Sequence, residues 1–248
     1  MTVHIVTYAT HSEGLFDKLV KNNHGVTVNV LGWNTKWNSF MDKFNGVIQY
    51  IDDNTSDDDL IVFVDGFDSL VNKPLDGIEE VFKSFDASAV FSHDTHRPRI
   101  ANIVFTKCKN TELNSGMYMG YAKYIKDILT DSVQNYSCND DQRVMTEVCE
   151  LNNKIKIDTD QKLFKNTYQR DKSETDAYFI SYPGAGVNKK NRVLRGIKEY
   201  SQFFFKYITV LILTLILVFP RYKNVLLTIY TLYILLLLGY AEKKCMRI

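Results

Sequence analysis

Residues 60–70 read Leu-Ile-Val-Phe-Val-Asp-Gly-Phe-Asp-Ser-Leu, an apolar run that leads straight into two carboxylates, Asp65 and Asp68. Paired acids at this spacing suit a hard divalent cation, Mn²⁺ or Mg²⁺, which prefers oxygen ligands and can bridge to a nucleotide diphosphate. The same residues also fit a plain structural role, with Asp68 capping a turn and Asp65 ending a strand. Leu113-Asn114-Ser115-Gly116 sets an amide and a hydroxyl beside a glycine, which suits close approach of a polyhydroxyl ligand or simply a tight turn. Asn139-Asp140-Asp141-Gln142 opens a helical pattern with paired acids, which also suits a helix N-terminal cap. His93-Asp94-Thr95-His96 has metal-like composition but no further acid or cysteine at ligand spacing, which argues against a metal site there. The acidic run at 52–59 lacks the glycine and terminal glutamate of a calcium loop and reads as a solvated connection.

These groups need elements to hold them. Apolar runs bounded by turn residues predict strands at about Val3–Ala9, Val26–Leu31, Leu60–Val64, Ala89–Phe91, Ser115–Gly120, Ile155–Ile157 and Tyr178–Ile180. Apolar residues at i, i+3 and i+4 predict helices over Gly14–Asn22, Trp37–Asp52, Gly77–Phe85, Ala122–Asp131 and Asp140–Asn152. Alternation of the two implies an α/β domain with a mostly parallel sheet flanked by helices, and ligands of such sheets sit at the carboxyl ends of the strands.

The formal charge of +1 conceals two unlike pieces. Residues 203–248 carry six basic groups and one acid, a charge of +5, whereas residues 1–202 carry 24 basic and 28 acidic groups, a charge of −4. An acidic body is a poor polyanion binder, which argues against a nucleic-acid partner. Four scattered cysteines without a CxxC pair read as reduced thiols, and Met1–Tyr8 reads as a strand, with no cleaved signal peptide. In the tail, uncharged runs at about 203–219 (past a single Lys206) and 225–241 flank Pro220-Arg221-Tyr222-Lys223-Asn224. Each has the roughly 17 residues needed to cross a bilayer, which predicts a transmembrane hairpin, or one dipping into a single leaflet, with a short basic tail at 242–248. Lys189, Lys190, Arg192, Arg195 and Lys198 before it, and Lys243, Lys244 and Arg247 after it, outnumber Arg221 and Lys223 in the loop. The body, residues 1–200, is therefore expected to face the cytoplasm.

The order of the polar segments resembles the glycosyltransferase domain of the procollagen lysyl hydroxylase family and its collagen-glycosyltransferase relatives, including those of large DNA viruses. The resemblance spans nearly all of the body: Val6-Thr7-Tyr8-Ala9-Thr10-His11-Ser12-Glu13-Gly14, Leu31-Gly32, Lys36-Trp37, Phe63-Val64-Asp65-Gly66-Phe67-Asp68, Leu113-Asn114-Ser115-Gly116, Asp140-Asp141-Gln142, and Ile157-Asp158 through Leu163-Phe164. It implies a GT-A type, Rossmann-like fold, a UDP-sugar donor, and a Mn²⁺ (or Mg²⁺) held partly by Asp65 and Asp68. It further implies sugar recognition and catalysis by Asn114, Asp140 and Asp141, base or ribose contacts from Thr7, Tyr8, Trp37 and Phe67, and diphosphate contacts from Gly184, Gly186 and Lys189. One position departs from the family pattern: where a metal-binding histidine is expected, residues 180–186 read Ile-Ser-Tyr-Pro-Gly-Ala-Gly, leaving Ser181 or Tyr182 in its place. The resulting expectation is a membrane-tethered, metal-dependent hexosyltransferase acting on a glycan, protein or lipid hydroxyl. A degenerate glycosyltransferase-like domain serving as a membrane scaffold is the competing expectation. A phosphohydrolase built on Asp65 and Asp68 is the third expectation, but no downstream Lys and DD pair has the spacing that chemistry requires.

Overall fold

A pentapeptide with no polar member is stable as a strand only where both of its faces are covered, and Leu60–Val64 is placed in that way, with all five residues buried. The computed structural model describes residues 1–95, 107–137, 140–167, 174–184, 205–240 and 247. The chain divides into two units, residues 1–186 with 245–248, and residues 187–244. In the first unit the strands are β1 (Val3–Tyr8), β2 (Val28–Leu31), β3 (Leu60–Val64), β4 (Ser69–Val71), β5 (Ala89–His93), β6 (Leu113–Tyr121), β7 (Ile155–Asp158), β8 (Phe164–Asn166) and β9 (Phe179–Ser181). Its helices are α1 (Phe16–Val20), α2 (Met41–Asn54), α3 (Ile78–Lys83), α4 (Ala122–Asn135) and α5 (Asp141–Glu150).

Six strands form one sheet in the order β2-β1-β3-β6-β5-β7. The pairs β1–β2, β1–β3 and β5–β7 are parallel, and β6 alone runs against its neighbours β3 and β5. The expected mostly parallel α/β sheet flanked by helices is thus present. Side-chain alternation divides the core between the two faces. Ile61 and Phe63 of β3 pack with Phe44, Val47 and Ile51 of α2, Ile125 and Leu129 of α4, and Val144, Met145 and Val148 of α5. Leu60, Val62 and Val64 face the other way, toward Leu19 of α1, Ile78 and Phe82 of α3, and Phe164 and Phe179. Those two phenylalanines belong to a second, small sheet of order β4-β9-β8. Its three-residue strands lie below the length at which alternation is readable; β4 and β8 were not expected, and the strand expected at Tyr178–Ile180 joins this sheet as β9.

The reading of the cysteines as reduced thiols is corrected: Cys108 and Cys149, both buried, form a disulfide across 41 residues of sequence. One of the grounds for a cytoplasmic facing is thereby removed, because such bonds are rare where thiols are kept reduced.

The second unit contains α6 (Phe205–Val218), a single 3₁₀ turn at Pro220–Tyr222, and α7 (Lys223–Tyr240). Proline stops α6 because its ring cannot continue the helical ladder. The Thr209 and Tyr230 hydroxyls meet at 3.1 Å between the two helices. Among the described residues no single helix is long and apolar enough to cross a membrane; only the bent pair Tyr207–Val218 and Pro220–Leu235, at 114°, reaches that length and composition together.

Candidate active site

The reversed strand decides where the polar groups meet. Because β6 is antiparallel, its first residues lie at the same edge as the carboxyl ends of β1, β3 and β5. The Asp65 N–H donates to the Gly116 carbonyl at 2.8 Å, so the two segments singled out in the sequence abut. Gly116 is required for that approach: a Cβ there would sit 2.6 Å from Asp65 Oδ2 and 3.0 Å from Asn114 Oδ1.

Into this edge projects a residue that motif reading missed. Lys43, in the first turn of α2, donates to Asp65 Oδ1 at 2.5 Å and to Asp141 Oδ2 at 3.3 Å, and its side chain is only 11 % exposed. Its sequence signal is positional: Lys43, Val47 and Ile51 fall on one helical stripe, and the other two are buried. A charge on the buried stripe needs a partner. Burial by itself would lower the Lys43 pKa, but Asp141 and Asp65 more than offset this and hold it above the ordinary lysine value.

Asp68 turns toward the small sheet, where it accepts the Gly184 N–H at 3.0 Å and the Ser181 hydroxyl at 3.3 Å. Ser181 thus meets Asp68 through its side chain, whereas Tyr182 donates its backbone N–H to the Asp68 carbonyl at 2.8 Å. Burial, reinforced by the charge of Asp65, pushes the Asp68 carboxyl up to about 7. Asp65 is raised as well, by burial first and against the pull of Lys43, with Asp141 adding to the rise. The assembly holds three carboxylates and one ammonium. Its donor chemistry, two neighbouring carboxylates and a hydroxyl with excess negative charge, fits a hard divalent cation. Among the described residues no group of three or more His, Cys, Asp or Glu side chains is arranged as a metal cage.

The paired acids divide. Asp141 is buried and joins the cluster, whereas Asp140 caps α5 by accepting the Arg143 N–H at 3.1 Å and also meets the Arg143 side chain at 3.4 Å. Gln142 ties this helix to β6: its Oε1 accepts from Ser115 N at 2.9 Å and Ser115 Oγ at 3.1 Å, and its amide donates to the Leu113 carbonyl. The Asn114 Oδ1 accepts from Gly116 N at 2.8 Å and Ser92 Oγ at 3.3 Å, while its NH₂ group has no protein partner among the described residues. Behind it, Asn166 of β8 donates to Ser92 Oγ at 3.1 Å, a buried support with no motif to announce it. Tyr118, stacked on Phe63 at 5.1 Å, has a buried hydroxyl without a partner among the described residues. Burial, with Asp141 and Asp65 adding to it, pushes that hydroxyl well above its ordinary pKa.

The aromatic residues assigned to nucleotide contact lie along β1, β2 and β3. The Tyr8 ring fits where Gly32 and Gly46 have no side chains, and it meets Trp37 edge-on at 5.8 Å. Trp37 is 41 % exposed and Phe67, half-buried, packs on His11 at 5.2 Å, so each keeps ring surface open to a ligand. Thr7 differs: its buried hydroxyl donates to the Val64 carbonyl at 2.7 Å, which spends the side chain within the fold. Asp94 lies at the end of β5, its N–H donating to the Glu112 carbonyl at 2.9 Å. Gly186, Lys189 and His96 lie outside the described residues. The acidic run forms no calcium loop; Asp52 and Asp57 pair with Lys126 and Lys123 of α4, and the Asp59 carboxylate accepts the Thr2 N–H at 2.6 Å.

Among curated proteins nothing matches the chain. A family model described as the PLOD GT domain matches residues 1–179, which contain every strand of the six-stranded sheet and the Lys43–Asp65–Asp141 cluster. The chain belongs to the PLOD GT domain family, and its first unit is a glycosyltransferase domain.

Proposed function

We propose that the protein is a membrane-tethered glycosyltransferase that moves a hexose from a UDP-sugar to an acceptor hydroxyl with the help of Mn²⁺ or Mg²⁺. The observation that carries this reading is the cluster at the carboxyl edge of the sheet, in which Lys43 pairs with Asp65 and Asp141 and the charge of Asp65 bears on Asp68. Glycosyl transfer breaks a sugar–phosphate bond and leaves negative charge on the departing diphosphate. Asp65 and Asp68 would hold the cation, which supplies Lewis-acid stabilisation of that charge when bound. Tyr8, Trp37 and Phe67 offer ring surface to the base and ribose. The Asn114 NH₂ orients a sugar hydroxyl. Asp141, fixed by Lys43 at 3.3 Å, faces the sugar side as the carboxylate that steers the donor or acceptor hydroxyl. Tethering is supported by α6 and α7, whose described outward residues include Leu217 at 81 %, Tyr207 at 66 % and Leu232 at 61 % exposed. Apolar surface of that extent calls for a lipid environment.

The test is a panel of UDP-sugars with the full chain in detergent and Mn²⁺, read as UDP release. At least one donor is expected to turn over, and Asp65→Ala to lower the rate by about 10²–10³-fold. Turnover unchanged in that variant would remove the assigned site. Absence of UDP binding by calorimetry would leave the scaffold reading instead.

The pKa of Asp68 gives a second expected result. A carboxyl raised to about 7 in the folded chain, against about 4 when unfolded, binds its proton more tightly in the native state. Its contribution is present below the unfolded value and lost as pH rises through the folded one. In EDTA the melting temperature should therefore fall between pH 5 and pH 8, and Mn²⁺ should restore it at pH 8, where the anion is available. Asp68→Asn should flatten the profile; a variant that keeps the wild-type slope would show the titrating group to lie elsewhere.

A further inference from the structure

We infer that the Cys108–Cys149 disulfide is a positioning element of the sugar half of the site, resting on the glycosyltransferase reading above. Cys108 opens a tight turn closed by mutual backbone bonds with Thr111 at 2.9 and 2.8 Å, in which Lys109 and Asn110 adopt left-handed φ of 50° and 65°. Leu113, two residues after Thr111, begins β6 and with it the strand that carries Asn114. Cys149 lies in the last turn of α5, the helix whose first residue is Asp141. Three hydrogen bonds reinforce the junction: Lys109 N to Glu150 Oε2 at 2.5 Å, and Lys109 Nζ to the carbonyls of Asn152 at 2.7 Å and Ile155 at 3.3 Å.

Strand and helix are thus joined twice. Gln142 fastens the first turn of α5 to Leu113 and Ser115, and the disulfide fastens its last turn to the chain entering β6. Without the disulfide, the last turn of α5 is held only by the Lys109 bonds and by side-chain packing, and a tilt of the helix about its Gln142 end turns the Asp141 carboxylate relative to Asn114. With both ends held, the two side chains assigned to the sugar move as one body. The aromatic residues assigned to the nucleotide come from the other half of the sheet, β2-β1-β3, which the disulfide does not touch. The clamp therefore acts on the transferred sugar and not on UDP.

Both sulfurs are buried, 1 % exposed at Cys108 and fully covered at Cys149, so the bond is a permanent fastening and not a readily reduced switch. Its formation removes two electrons and two protons from the thiols, which a disulfide-donating oxidant accepts as it is reduced to a dithiol. Formation of this bond therefore calls for an oxidising compartment, against the facing that the basic residues around the hairpin suggest.

The experiment uses the full chain purified in detergent without reductant. Peptide mapping after alkylation should find Cys108 and Cys149 blocked until a reductant is added. The Cys108→Ser/Cys149→Ser variant should bind UDP within about twofold of wild type by calorimetry, yet lose about 10–100-fold in kcat/KM for the UDP-sugar, since small misplacement of positioning groups has costs of that order. A Cys108→Ala/Cys149→Ala variant, which removes the thiol's polar replacement as well, should behave alike, and reoxidised wild type should regain full turnover after reduction under mild denaturant. Alkylation without reduction, unchanged kcat/KM in both variants, or equal loss of UDP affinity would each overturn the clamp. Failure of wild type to release UDP from any sugar would instead overturn the glycosyltransferase reading, and the clamp with it.

Discussion

Lys43→Met is expected to destabilise the protein by about 3–5 kcal/mol and to lower UDP release by at least about 10²-fold. The stability figure follows from what is left behind. Removing one partner of a buried ion pair strands the other charge without compensation, which is where the large penalties in this class arise. Here two carboxylates are stranded, Asp65 at 2.5 Å and Asp141 at 3.3 Å from the lost ammonium. Both then lose the partner that fixes them, and Asp141 is no longer held in place as the steering carboxylate. Methionine keeps most of the aliphatic stem, so the main loss is the ammonium, which also lies over the Phe40 and Phe63 rings at 5.3 and 5.9 Å. Adding Asp141→Asn should recover part of the stability and none of the activity, because the second substitution relieves the stranded charge while leaving the chemistry broken. Lys43→Arg should not rescue turnover, since a planar guanidinium cannot fill the place of a compact ammonium held between two carboxylates. Urea unfolding of the full chain in detergent and a UDP-release assay measure the two effects separately. A stability change below about 1 kcal/mol would show that the cluster is not a closed ion pair.

What could be read from the sequence depended on whether a residue's signal was local. Leu60–Val64 was legible because a strand buried on both faces tolerates no polar member, and Asp65 with Asp68 stood out as the first polar residues after it. Leu113–Gly116 was legible as a close-approach segment, but its partner was not. Nothing within β6 says that it runs antiparallel, and that reversal is what brings Gly116 onto Asp65. Lys43 carried a weak local signal, one charge on an apolar helical stripe, whose meaning came only from two aspartates 22 and 98 residues away. Ser92 and Asn166, 74 residues apart, carry no local signal at all, since a buried hydrogen bond between common polar residues leaves no periodicity. The disulfide was misread for the same reason: spacing of cysteines along the chain does not report which helix end will lie against which turn. Ser181 and Tyr182 stood level in the sequence, and only the fold shows that the Ser181 hydroxyl, 113 residues from Asp68, donates to its carboxylate.

Gly116→Ala is the smallest change expected to disable the site. One methyl group added there meets Asp65 Oδ2 at 2.6 Å and Asn114 Oδ1 at 3.0 Å, and neither neighbour can yield without cost. Asp65 is held by Lys43 on one side, and its own backbone is bonded to Gly116. Asn114 is held through Ser92 and the Gly116 N–H. Overpacking of this kind costs about 1–3 kcal/mol, which a domain of this size survives, so the variant should fold and show a modest fall in urea midpoint. Activity should suffer far more. The displaced groups are a proposed cation ligand and the amide proposed to orient the sugar, and displacement of about 1 Å at such positions costs on the order of 10²-fold in rate. The variant should therefore separate three quantities that unfolding would move together: UDP affinity in EDTA near wild type, Mn²⁺-dependent gain in melting temperature reduced, and UDP release from the sugar donor largely lost. Gly120→Ala provides the contrast, since a Cβ there meets the Ser88 carbonyl at 2.7 Å and the Ile125 side chain at 2.8 Å, well along β6 from the carboxylates. It should destabilise to a similar or greater degree while the protein that remains folded turns over normally. If both glycine variants lost activity only in proportion to their loss of folded protein, the approach of Gly116 to Asp65 would be a packing detail and the chemistry would have to be sought elsewhere along the sheet edge.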